Sequence, residues 1–372
     1  MATKFLEPGG DATFNVNGRA ISPNGFWYTG STSTVVTDFV HGAHVKSLRH
    51  QPGGANLVTT PNGTLANAGN RVSFYIYIVA YPNATGSIAY YSANSGTNSV
   101  VRLRMTSTGV LQLWETSVQI GIDGTTLSLG VWYRISMAHT LASSTVNEFR
   151  VFRDGVLDIS VTNATITNST ITTFNFGNGS SNATFDARTS DHYVDDSTAL
   201  TDPGNIWVTA KRPNANGTTN GFTTQIGAGG SGYGSGHSPQ VNERALSETN
   251  GWSMVGAGSA VTEEYNIESK STGDIDISTA TIVDYVGWIS TKSLVGETVN
   301  IIVNGVNFSQ AITSTITLYT KAAGSATYPA RNGTDIGMQT DTSLTTVSLY
   351  ECGIMVAYIP STVTNSNFLS FI

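Results

Sequence analysis

The chain is poor in charge and nearly devoid of cysteine. Asp, Glu, Lys and Arg make up 12% of its 372 residues, about half the usual share. A single cysteine, Cys352, excludes an intramolecular disulfide and a cysteine-built zinc site. It lies beside the apolar run "GIMVAYI" (353–359), which points to a buried, inert thiol. The 18 Lys and Arg, against a net charge of −7, fall in isolated pairs such as Arg102 with Arg104 and Lys211 with Arg212. Nucleic-acid binding needs a basic stripe to neutralise phosphates, and none is present. No apolar stretch is long enough to cross a bilayer. The opening "MATKFLEPGG" lacks the basic start and apolar core of a signal peptide. Nor is there a helix of normal length, a heptad pattern or a tandem repeat.

Gly, Ser, Thr and Asn fill the gap. Thr suits strands because it is β-branched, and Asn and Ser tolerate turns. The length allows two domains. N-x-[ST] sequons, among them Asn83, Asn163 and Asn216, read as a consequence of this composition. A surface-type composition without an export signal suits a product assembled inside a cell and used outside it, as a virus-particle component is.

Strand patterns dominate. "RVSFYIYIVAY" (71–81) places Val72, Phe74, Ile76 and Ile78 on one face and Tyr75 and Tyr77 on the other. "SVVRLRM" (99–105) and "VLQLWET" (110–116) read as a hairpin around a Gly-containing turn. In "NEFRVFRDGVLDISV" (147–161), Asp154-Gly155 supplies the positive-φ turn. "NIWVTAK" (205–211) reads as the last strand of a first domain over 1–211. The Gly- and Asn-rich stretch 212–240, with "GAGGSGYGSGHSP", reads as a connection. A second strand series covers 241–372, with Asn304-Gly305 as a hairpin turn. The expected fold is all-β.

Three segments invite functional readings. "DHYVDDSTA" (191–199) concentrates aspartates and a histidine in a charge-poor chain. Asp195 and Asp196 point to opposite faces of a strand, so this strand alone makes no paired acid/base site. Asp191, Asp195, Asp196 and Asp202 offer oxygen ligands for calcium. The competing role is to accept backbone N–H bonds and fix a loop. His192 beside Asp191 suggests a triad, but no Gly-x-Ser-x-Gly elbow accompanies it, and "GGSGYGSG" lacks the Gly-Lys ending of a phosphate loop. "NGFWYTG" (24–30) offers Phe26, Trp27 and Tyr28 to a glycan or a partner, because successive aromatics on a strand cannot all face the core. Tyr90, Tyr91 and Trp114 offer further faces, with a core role competing for Trp114 and Trp132. The apolar end "FLSFI", with Phe368, Phe371 and Ile372, suggests docking on the chain's own domain or on a neighbour.

Residues 1 to about 210 resemble the laminin-G-like, concanavalin-A-like jelly-roll family. The likeness rests on the order of "TDFVHGAHVKSLRH" (37–50), "VRLRMTSTGVLQLW" (101–114), "LGVWYRISM" (129–137), "FRVFRDGVLDI" (149–159) and "DHYVDDSTALTD" (191–202). The whole chain resembles tailed-bacteriophage virion proteins that join such a domain to a second β-sandwich. "HSPQVNERALSETNGWSMV" (237–255) matches their junction and "SLYECGIMVAYI" (348–359) their closing strand. The family resemblance implies an N-terminal concanavalin-A-like sandwich and a second, smaller antiparallel sandwich. No cofactor is expected, with calcium on the sandwich rim, which the resembling family often binds, as the alternative; the resemblance also implies localisation to a virion assembled in the host cytoplasm. The hydrolases of this superfamily carry a Glu-x-Asp-x-x-Glu run, which is missing here. The expected function is accordingly a noncatalytic structural component of a tailed-phage particle (capsid decoration, fibre or tail protein), forming a homo-oligomer and contacting other virion proteins. A glycan-binding adhesin or lectin that contacts host glycans is the alternative.

Overall fold

The structure is a computed structural model. It describes residues 3–7, 28–29 and 34–361, apart from 45–46, 54–55, 61–64, 66, 94–97, 142–146, 163, 167–169, 179–182, 227–250, 256–258, 274, 323–326, 330–333 and 342–345. The described residues form antiparallel strands and no helix. The alternation at Asn70–Ala80 explains why. Val72, Phe74, Ile76 and Ile78 are fully buried on one face, while Tyr75 and Tyr77 stand on the other. A strand of this pattern is stable only when its apolar face meets a second sheet.

Two sheets provide that arrangement. An eight-stranded sheet runs in the order Val156–Val161, Asn147–Arg153, Trp132–Leu141, Asn70–Ala80, Asp186–Asp195, Ser47–His50, Thr34–Val36, and Thr3–Glu7 also pairs with Asp186–Asp195. A seven-stranded sheet faces it, in the order Val118–Ile120, Leu111–Glu115, Asn98–Met105, Gly86–Ala93, Thr173–Asn178, Asn56–Thr59, Tyr28–Thr29. Phe74 of the first sheet meets Phe176 of the second edge to face, with ring centroids 5.3 Å apart. The Asp154-Gly155 turn is present, with φ of 52° and 87°.

A second pair of sheets, six- and five-stranded, makes the smaller sandwich. Its long central strands are Thr281–Ser293 and Thr346–Ile359. The Asn304-Gly305 hairpin joins Glu297–Val303 to Val306–Ile312. The fold is therefore all-β, as expected: a larger N-terminal antiparallel β-sandwich followed by a smaller antiparallel one. Cys352 is fully buried in the second core, and burial pushes its thiol well up.

The strands at the junction pair differently from the sequence reading. Trp207–Lys211 pairs with Thr346–Ile359, in the second sandwich. Pro213–Asn220, expected in the connection, is a strand against Thr262–Ile267. It is an edge strand with irregular register and mostly exposed or half-exposed side chains. Its Asn and Thr content is compatible with an edge, where only one neighbour must be satisfied. Phe222 follows it into the second core. Residues 227–250, the rest of that stretch, lie outside the described residues.

The two sandwiches share apolar packing. The core of the first continues through Ile206, Val208 and Ala210 to Val286, Trp288, Met355 and Ala357 of the six-stranded sheet. The loop at residues 37–44 and the strand Asp186–Asp195 lie against this junction, as the contacts of Trp207 and Val208 show below.

Candidate functional site

Strand register assembles an aromatic face on the outer side of the eight-stranded sheet. Trp132 lies opposite Tyr77, and Arg134 opposite Tyr75. On the other side of the same strand, Arg188 lies opposite Tyr77 and Ser190 opposite Tyr75. The 37–44 loop adds Phe39 and His41. Phe39 stacks on Tyr77 with centroids 4.6 Å apart, and Tyr77 meets Trp132 at 5.5 Å. His41 stacks on Tyr75 at 3.7 Å and touches Trp132 at 5.3 Å and Trp207 at 4.7 Å. Phe39 is 36% exposed, and Tyr77, Trp132 and Trp207 are half-buried. Trp132 is therefore a surface ring on the open face.

Polar groups frame the rings. Arg188 bridges Asp38 and Asp186, and Asp186 also accepts from Arg49 Nη2 at 2.8 Å. The Arg188 guanidinium lies over the Phe39 ring at 5.6 Å. The hydrogen bond from Arg188 holds the Asp38 carboxyl below its ordinary value. At the other end, Asn205 Oδ1 accepts from the Tyr75 hydroxyl and from Trp207 Nε1, the latter at 3.1 Å. Burial, reinforced by the charge of Asp191, pushes the Tyr75 hydroxyl well above its usual range, so it stays a neutral donor.

Beneath this face lies a fully buried carboxylate. Asp191 sits in a register shift of its strand between Ser190 and Tyr193, with φ of 53°. Bulges of this kind re-aim side chains. Asp191 Oδ2 lies 2.7 Å from His41 Nδ1, and Oδ1 lies 2.8 Å from His44 Nε2. Oδ1 also accepts the Val208 N–H at 2.7 Å. His41 and His44 face the same group because the chain turns between them. His44 N–H donates to His41 O at 3.0 Å, and Gly42 takes φ of 55°. A Cβ at Gly42 would lie 2.2 Å from the Trp207 ring. Burial pushes the Asp191 carboxyl up, but the charge and hydrogen bonds of the two imidazoles outweigh it and hold the group well below the carboxylate range. An imidazole–carboxylate pair can relay protons, and two imidazoles with one carboxylate can hold a metal ion.

The calcium set expected from sequence is dispersed. Asp191 is taken by His41, His44 and Val208. Asp195 is fully buried and accepts from Arg71 Nη2 at 2.7 Å, from the Tyr193 hydroxyl at 3.0 Å and from the Ser197 N–H at 2.9 Å. Asp202 accepts from Arg134 Nη1 at 2.7 Å. Asp195 and Asp202 are each paired with an arginine, Arg71 and Arg134. Among the described residues, Asp195, Asp196 and Asp202 do not gather with Asp191 into a metal-sized group, whereas His41 and His44 do. His192 is no triad partner, since its ring packs inward at 4.6 Å from Phe176. The pattern His41-Gly-Ala-His44 was visible in sequence, but nothing local tied it to an aspartate some 150 positions later.

Tyr91 is fully buried and Tyr90 nearly so. Trp114 is half-buried, with the Arg104 guanidinium 4.5 Å from its ring. Of the proposed contact residues, Tyr28 lies on a short strand paired with Val58. Phe26, Trp27, Phe368, Phe371 and Ile372 lie outside the described residues.

No protein-family model matches the chain, and no curated protein matches it. Solved structures do resemble it. An endo-β-1,4-glucuronan lyase from Trichoderma reesei matches with TM-score 0.39 and 15% identity, over 54% of this chain and 98% of that one. An alginate lyase from Chlorella virus matches with TM-score 0.30 and 13% identity, over 44% and 89%. A Trypanosoma rangeli sialidase matches with TM-score 0.33 and 13% identity, over 44% of this chain and 26% of that one. These likenesses correct two expectations. They are to enzymes and not to virion structural components, so the readings of a phage structural protein and of a chain without catalytic activity are both withdrawn. With TM-scores below 0.5 and identities of 13–15%, the likenesses carry nothing further about this chain.

Proposed function

We propose that the chain recognises carbohydrate, and that the outer face of the eight-stranded sheet is the contact surface. The observation that carries this reading is the half-exposed ring series Phe39, Tyr77, Trp132 and Trp207, contiguous through His41 and framed by Arg–Asp pairs. Sugar rings present apolar C–H faces and a rim of hydroxyls. Flat aromatic groups take the first, and side chains that both donate and accept take the second. Arg188, Arg49 and Arg134 are each paired with aspartates, so the frame offers balanced hydrogen bonding and no strong net charge. That favours hydroxyl-rich over highly anionic sugars.

The test is a glycan array probed with the full chain, followed by Tyr77→Ala. Binding to a defined glycan set, lost in the variant, is the expected result. Retention of all binding by Tyr77→Ala contradicts the surface assigned here. The bound glycan is also followed for shortening: release of fragments adds cleavage to recognition, and an intact glycan leaves recognition alone.

A further inference from the structure

We propose that His41, His44 and Asp191 form a binding site for one divalent transition-metal ion of the zinc class. The donors are Nδ1 of His41, Nε2 of His44 and the Asp191 carboxylate, all within 4.8 Å of one another and all on buried residues. Two imidazoles and one carboxylate are a borderline donor set. It selects zinc, cobalt or nickel over calcium and magnesium, which take oxygen ligands.

Three independent features hold the donors convergent. Asp191 adopts a left-handed backbone, which non-glycine residues take up uncommonly. Such strain collects at functional sites, and here it turns the carboxylate toward the histidine loop. Gly42, also left-handed, lets that loop close beneath Trp207. The supporting shell is built as well. The Val208 N–H fixes one carboxylate oxygen at 2.7 Å, and the Tyr75 ring, stacked at 3.7 Å, fixes the plane of His41. Outer contacts of this sort orient metal ligands and sharpen affinity.

The nitrogen–oxygen spacings of 2.7 and 2.8 Å are those of shared protons. An ion bonded at roughly 2.0–2.1 Å to each donor separates them by about 3.3 Å. Entry therefore opens each spacing by about half an ångström. It also requires each neutral imidazole to carry its proton on the far nitrogen, Nε2 of His41 and Nδ1 of His44. Any imidazolium releases a proton on binding.

The experiment uses the full chain after treatment with chelator. It is titrated with Co²⁺ by visible absorption, then with Zn²⁺ in competition, and its unfolding midpoint is recorded with Zn²⁺ and with Ca²⁺. We expect one Co²⁺ per chain, displaced by one Zn²⁺. The midpoint should rise with Zn²⁺ concentration and not with Ca²⁺, because an ion that binds only the folded chain stabilises it by mass action. Asp191→Asn and His44→Gln should each weaken binding by more than the roughly 10–100-fold expected for losing an outer partner. Absence of saturable Co²⁺ and Zn²⁺ binding to the unmodified chain overturns the site, as does undiminished binding by both variants. If the variants do not fold, X-ray absorption on the zinc-loaded unmodified chain decides: two imidazole nitrogens on the metal support the site, and one or none overturns it. None of these readouts depends on sugar binding.

Discussion

Gly42 is the residue on which the junction turns. Its left-handed φ lets His41 and His44 face one carboxylate, and the Trp207 ring occupies the space a Cβ needs. Gly42→Ala should therefore destabilise the chain by about 1–3 kcal/mol, through the unfavourable φ and the displaced indole. Chemical denaturation with urea measures this. A midpoint equal to that of the unmodified chain would show that the loop relaxes freely. At this scale the sequence was least legible. Asp191 was visible as one acid among several, and neither its bulge nor its left-handed backbone leaves a local signature. His192, the neighbour in sequence, turns into the core, and the true partners come from a loop near the start of the chain.

Among the described strands, Asp186–Asp195 carries the most buried polar residues. It pairs with Asn70–Ala80 along one edge and with both Ser47–His50 and Thr3–Glu7 along the other. Its own Asp186 and Arg188 join Asp38 of the 37–44 loop and Arg49 of Ser47–His50, in the Asp38–Arg188–Asp186–Arg49 series. Two carboxyls around it, Asp38 and Asp191, are held below the ordinary value of 3.8, Asp38 chiefly by the Arg188 hydrogen bond and Asp191 by the two imidazoles against the cost of burial. For a depressed carboxyl, the unfolded chain takes up the proton first as pH falls. Its contribution is complete above a pH of about 4 and is lost as pH drops through the folded values. The unfolding free energy should therefore be flat in this respect near neutrality and decline steeply below pH about 4. Asp38→Asn should soften that decline. A stability profile that stays level down to strong acid contradicts the pairing. Elements themselves were well read from alternation, because a buried apolar face repeats every second residue. Pro213–Asn220 escaped that signal because an edge strand with exposed side chains has little to alternate.

For the molecule as a whole, the shared core at the junction sets the cooperativity. Trp288 belongs to the second sandwich yet is fully buried in the apolar cluster of the first. We expect one calorimetric unfolding transition for the full chain. Trp288→Ala should cost about 3–5 kcal/mol, the usual price of emptying a large aromatic site. Two well-separated transitions in the unmodified chain would show that the sandwiches are energetically independent. Architecture was readable at this scale from composition and turn residues, but function was not. Low charge and abundant Thr and Asn suit a particle surface and a sugar-contacting sheet equally well. The ring series on which the sugar-contact proposal rests is made by the register that sets Trp132 beside Tyr77 and by the loop that adds Phe39, and neither shows in composition.

The central claim is that this ring series contacts sugar. The most direct measurement is calorimetric titration of an oligosaccharide identified on the array into the unmodified chain and into Trp132→Ala. Trp132 is half-buried on the open face, so its removal should leave the fold intact. The account predicts saturable binding to the unmodified chain and a loss of about 1–2 kcal/mol, five- to thirty-fold in affinity, in the variant. Equal affinity in the two proteins, or no saturable binding to any glycan of the panel, would contradict it.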